Sequence, residues 1–242
     1  MDEKNLLYFY SPISLLNRIE EVLIKIGPQK FFSNPDDETK RIREGLAEFF
    51  FMIALKKATG KDWWMFQPKD QFPDFDLMTA SQDRSSISIT LDRFELVTIP
   101  DRCNSFQDAL NIVQAKISKG YPENFNLLIF VNHVKSREWV ALLNQYLRDH
   151  YPFKSIWTVY LLFLGKDNLY SAVVNELRPK FTHGVEANFN DKALWEMESL
   201  PIFMDEIEIN GKKCRAFKKD FMKEFNIKIR QANLSQKRVR EQ

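Results

Sequence analysis

One run of thirteen residues, Ile87 to Ile99, constrains what this chain can fold into more than any other stretch. Ile87, Ile89, Leu91, Arg93, Glu95, Val97 and Ile99 fall on one side at a period of two, which predicts a long strand. Pro100 closes it. A glutamate lies inside this apolar run, and an aspartate pair, Asp74 and Asp76, lies one strand earlier in Gln71-Phe72-Pro73-Asp74-Phe75-Asp76-Leu77. Acids on adjacent strands can converge on one point. Converging acids repel each other unless a cation or a proton sits between them.

The rest of the chain supplies a scaffold for that pair of strands. Ser11 or Ser14 caps an expected helix through about Ile26, stopped by Gly27-Pro28. Asn34-Pro35-Asp36-Asp37 starts a longer one from about Asp37 to Thr59, ended by Gly60, with Lys56 and Lys57 favourable in its last turn. Strands are expected at Trp63 to Phe66 and Phe72 to Met78, then a polar turn at Ser81 to Ser86, then the long strand. Phe106 to Gly120 reads as a helix, and Phe125 to Val131 as a buried strand. A helix from Ser136 to about His150 and a strand from Ile156 to Leu164 follow. Three strands in succession suit a meander, and the later units suit crossover connections. The expectation is an α/β fold, a central mixed sheet flanked by helices. Residues 1–170 would form the core, and residues 171–242 an extension packed on it with a basic tail. Within the extension, helices are expected near Trp195 to Leu200 and Ala216 to Phe225.

Composition removes several function classes. Of 242 residues only 7 are Gly, and neither GxGxxG nor GxxxxGK[ST] occurs, against dinucleotide and P-loop binding. There is no GxSxG elbow for serine hydrolysis. His133, His150 and His183 are too scattered to ligate a metal, and Cys103 and Cys214 stand in no ligand pattern, as expected of free thiols in a reducing compartment. No apolar run approaches the ~20 residues of a membrane helix. No signal peptide is evident, so a cytoplasmic location without membrane attachment is expected. The net charge of +2 is small, but Lys and Arg dominate from Lys212 onward. Such a tail could meet phosphates, but the expectation is a solvated helix followed by a frayed terminus.

The acids carry the chemistry. A period of two places Asp74 and Asp76 on one face. Glu44 and Glu48, four apart on the preceding helix, project from one side of it. Asp74, Asp76, Glu95 and Glu48 would together offer hard oxygen ligands suited to Mg²⁺ or Mn²⁺. The plainer reading makes Asp74 and Asp76 turn-shaping residues near Pro73, with Glu95 paired to Arg93 or Lys116.

A helix glutamate, Pro73-Asp74, a strand acid at Glu95, then a helix and a buried strand resemble the PD-(D/E)xK nuclease superfamily over roughly Glu44 to Leu164. The resemblance implies a restriction-endonuclease-like core and metal-dependent phosphodiester hydrolysis. Asp74, Glu95 and Glu48 would be the catalytic and metal-binding acids, with Glu44 behind Glu48. It implies a nucleic-acid partner, DNA ahead of RNA, and use as a homodimer or in a larger complex. The family's lysine, two residues after the strand acid, is replaced here by Val97. Some members carry it on the following helix, where Lys116 lies, with Lys119 near it. Without such a lysine the fold would serve as a nucleic-acid- or protein-binding subunit.

Overall fold

Local signals set the first two helices. The Ser11 hydroxyl accepts from the Ser14 N–H and Pro12 follows the cap, starting helix α1 (Pro12–Ile26). Asp36 accepts from the Thr39 N–H at the head of α2 (Asp37–Thr59), and Gly60, at φ 69°, ends it in the left-handed conformation that glycine tolerates. The computed structural model describes residues 9–27, 30–31, 36–66, 74–83, 86–132, 135–147, 151–164, 169–179, 184–188, 191–195, 201–209 and 212–240. Strand β1 (Phe9–Tyr10) precedes these helices. After them come β2 (Trp64–Phe66), β3 (Phe75–Asp83), β4 (Ser86–Ile99), α3 (Phe106–Ile117), β5 (Phe125–Val131), α4 (Ser136–Tyr146) and β6 (Ser155–Leu164). The chain continues through β7 (Leu169–Arg178), β8 (Val185–Asn188), α5 (Lys192–Trp195), β9 (Met204–Ile209), β10 (Lys212–Phe217) and α6 (Lys219–Arg240).

The fold is α/β, built on a mixed sheet in which β1 to β8 stand side by side in chain order. β4, β5 and β6 are parallel; the other neighbours in the sheet pair antiparallel. Parallel neighbours need a crossover, and α3 and α4 supply the two. Both pack on the same face, over Val97 and Ile99 of β4, Leu127 and Ile129 of β5 and Ile156 of β6. The opposite face holds α1 and α2. Phe49 to Ala54 are buried all round, because α2 lies between α1 and the Phe94, Leu96, Leu128 and Phe130 side of the sheet. Gly45 lets the two helices close: a Cβ there would meet Leu15 Cδ1 at 3.0 Å. A third cluster joins Trp64, Met78 and Ile89 of the sheet to Phe203 and to Phe221 and Phe225 of α6.

Several boundaries differ from the sequence reading. The second strand runs on to Asp83, so residues 81–83 belong to a ladder with β4 rather than to a polar turn. α3 ends at Ile117, three residues before Gly120, which takes φ 71°. Ala216 and Phe217 belong to β10, and the terminal helix begins only at Lys219. The expected helix near Trp195 is the short α5, and the rest of that stretch lies outside the described residues, as do His133, His150, His183 and Pro73. Trp63 and Trp64 are both buried, in different clusters.

Candidate functional site

β3 and β4 pair from Asp83 and Ser86 as far as Phe75 opposite Phe94. Just beyond, the N–H of Leu96 is free of the β3 ladder, and the Asp74 carboxylate takes it: Leu96 N donates to Asp74 Oδ2 at 2.8 Å. Asp74 therefore anchors the place where the two strands part, and its oxygen lies against the segment that carries Glu95. Glu95 points to the α3 side, as its period-two relation to Val97 and Ile99 requires.

The lysine arrives from the crossover. Lys116 sits in the last turn of α3, and its Nζ lies 2.7 Å from Asp74 Oδ2 and 2.6 Å from Glu95 Oε2. One ammonium thus bridges two carboxylates from different strand ends. Its side chain is 14% exposed, that of Glu95 2% and that of Asp74 38%, so the cluster opens to solvent through Asp74. Val97, at the position two beyond Glu95, is buried in the apolar core. Lys119 lies past the helix end and is exposed.

Two acids against one ammonium leave one negative charge in surplus, and the proton affinities register it. Burial and then the Asp74 charge push Glu95 up to about 7, against the pull of Lys116. Burial disfavours the Lys116 ammonium, but the charges of Asp74 and Glu95 and their hydrogen bonds outweigh it and hold the lysine protonated. On α2, burial raises Glu44, with Lys40 opposing and Asp74 adding to the rise. Glu48 is pushed to about 8 by burial, then by Glu44 and Asp74. Asp74 is the residue that feels both the acids of α2 and the acid–lysine cluster on the α3 side.

Asp76 takes a different partner. Its register partner is Arg93, and Arg93 Nε lies 3.5 Å from Asp76 Oδ1, both side chains buried. Burial pushes Asp76 up to about 7 although Arg93 pulls it down. Its register partner Arg93 precedes Glu95 by two residues on the same face, and the ion pairs of Lys116 go to Asp74 and Glu95. Tyr121 was invisible to spacing rules. It follows the Gly120 turn, its ring centroid lies 5.6 Å from Lys116 Nζ, and burial pushes its hydroxyl up to about 12. Lys56 and Lys57, in the last turn of α2, sit about 12 Å along its axis from Glu48 and bond to Asp62 and to the Glu186 carbonyl.

The fit to a divalent cation follows from the donors. Among the described residues, no group of three or more His, Cys, Asp or Glu is arranged to hold a metal ion. Mg²⁺, however, is commonly held by one or two carboxylates, with water and substrate phosphate completing its positions at ~2.1 Å. Asp74 and Glu95 meet that requirement, and Glu95 Oε1 and Glu48 Oε2 are buried without hydrogen-bond partners, acceptors suited to an ion or its waters. No helix among the described residues is long and apolar enough to cross a membrane. No family model matches this chain, and no curated protein and no solved structure matches it either.

Proposed function

We propose that this protein is a metal-dependent phosphodiester hydrolase acting on nucleic acid, built on a restriction-endonuclease-like core. The observation that carries the reading is the position of Lys116, which brings one ammonium onto Asp74 and Glu95 although the strand offers only Val97. The order α2, β2-β3-β4 meander, α3, then β5 parallel to β4 supports it.

Asp74 and Glu95 would hold Mg²⁺ or Mn²⁺, with Glu48 acting through water from the α2 side. Bound there, the ion supplies charge neutralisation on the phosphate and acidifies a water. Lys116, as an ammonium, would orient an attacking water and stabilise charge on the phosphate oxygens by hydrogen bonds from Nζ. Asp76 with Arg93 backs the Glu95 strand and touches no reacting atom. Lys219, Lys223 and Arg230 on the outer side of α6 offer cations to a polyanion, DNA ahead of RNA.

The test is cleavage of plasmid, single-stranded DNA and RNA with Mg²⁺ or Mn²⁺. Asp74→Ala, Glu95→Ala and Lys116→Ala should each lower the rate by about 100-fold or more. Wild-type protein inert on all three substrates overturns the reading. A second reading keeps the core as a binding subunit without cleavage, alone or within a larger complex. It is favoured by the closed ion pairing of Lys116, which also serves as a plain structural staple. Nucleic-acid binding unchanged in Asp74→Ala, with no cleavage by wild type, would select it.

A further inference from the structure

We propose that Lys116 competes with the cation: in the resting protein its ammonium occupies the point between Asp74 Oδ2 and Glu95 Oε2, and a divalent cation enters only by displacing it. This rests on the metal-dependent reading above.

Geometry forces the choice. Nζ is 2.7 Å from one oxygen and 2.6 Å from the other. An ion bound at ~2.1 Å to the same two oxygens would lie where the nitrogen lies, and two cations cannot share that place. Asp74 Oδ2 is further committed to the Leu96 N–H at 2.8 Å, so this oxygen has little capacity for a third close partner. Glu95 Oε1 is buried and carries no hydrogen bond. An ion entering from the more exposed Asp74 side would find this oxygen uncommitted once the lysine leaves.

The displaced ammonium has somewhere to go. Lysine is a point charge on a flexible four-carbon stem, and Lys116 leaves the last turn of α3 rather than its rigid middle. The Tyr121 ring, with its centroid already 5.6 Å from Nζ in the resting position, gives a cation–π contact that the ammonium can keep as it moves. Glu44 already lies within the field of Lys116. A substrate phosphate would be a third and stronger acceptor. Because phosphate receives the lysine that the ion expels, ion and nucleic acid strengthen each other's binding, and linkage makes the effect reciprocal.

The experiment pairs Mn²⁺ titration by calorimetry with acylation of Lys116 read by mass spectrometry on folded wild-type protein, so that poor folding of a variant leaves it valid. Lys116 should be protected without Mn²⁺ and label several-fold faster at saturation. Lys116→Met should bind Mn²⁺ about tenfold more tightly, the scale of one charge-assisted hydrogen bond. Asp74→Asn should abolish the binding. Mn²⁺ uptake that Asp74→Asn abolishes, with unchanged Lys116 labelling, overturns the displacement and leaves the metal site standing. No uptake by wild type or Lys116→Met, or uptake that survives Asp74→Asn, overturns both.

Discussion

Glu48 shows how far burial can move one group from its ordinary behaviour. Its side chain is 3% exposed on a helix enclosed on all sides, and its proton affinity rises to about 8. In the folded chain it keeps a proton that the unfolded chain releases in the ordinary carboxylate range. The unfolded state therefore binds fewer protons between about 4.5 and about 8, and stability falls as pH rises through that window, then levels off. Glu48→Gln removes the titration. Urea unfolding at pH 5 and pH 8.5 should show the wild type losing roughly 2–4 kcal/mol more than the variant across the interval. Parallel profiles for the two proteins would sink the assignment. The Asp76–Arg93 pair obeys the same cost in another form, since its closest approach is 3.5 Å with both side chains buried. Asp76→Ala should cost about 3–5 kcal/mol by removing a buried counter-charge from Arg93, whereas Asp76→Leu with Arg93→Met should come out near neutral in thermal unfolding.

At the scale of elements, legibility followed from how local the signal was. α2 is bounded as its sequence predicts because Asp36 and Gly60 act within one turn of each end. β5 was read correctly because all seven of its residues are buried and all but Asn126 are apolar. β7 escaped because Ser171 and Asn175 occupy buried positions in it and interrupt the apolar alternation. For Asn175 the partner is tertiary: its Nδ2 approaches Thr158 Oγ1 of β6 at 3.5 Å. Among the described residues β9 and β10 pair only with each other, and the charges of Asp205, Glu206, Glu208, Lys212, Lys213 and Arg215 break up any apolar run. α6 docks through an aromatic stack, Phe203 to Phe221 at 4.7 Å and Phe221 to Phe225 at 5.6 Å between centroids. Phe221→Ala should therefore cost about 3–5 kcal/mol in chemical denaturation. A loss below 1 kcal/mol would mean that α6 is held by something other than this stack.

Across the whole molecule, the acids of the site were visible in the sequence and their convergence was not. Period-two spacing placed Glu95 on a face, but nothing local says that β3 stops pairing at Phe75, which is what turns Asp74 toward Leu96 and Lys116. Lys116 could be placed on a helix, yet its reach depends on how the crossover returns to β5. Tyr121 depends on the same turn. The site is thus a product of the crossover and the sheet together. The terminal segment bears on it through the sheet face it covers, because Met78 of β3 and Ile89 of β4, with Trp64 of the neighbouring β2, share a cluster with Phe203, Phe221 and Phe225. A chain ending at residue 200 keeps β1 to β8 but bares that face, an aromatic and aliphatic patch of the kind that drives association. Such a chain should bind a hydrophobic dye, lose cooperativity in thermal unfolding and self-associate in sedimentation. Replacing Trp64, Met78 and Ile89 by polar residues within the shortened chain should restore solubility without restoring full stability. A shortened chain that stays monomeric, takes no dye and melts like the parent would show that the sheet needs no cover from residues 201–242.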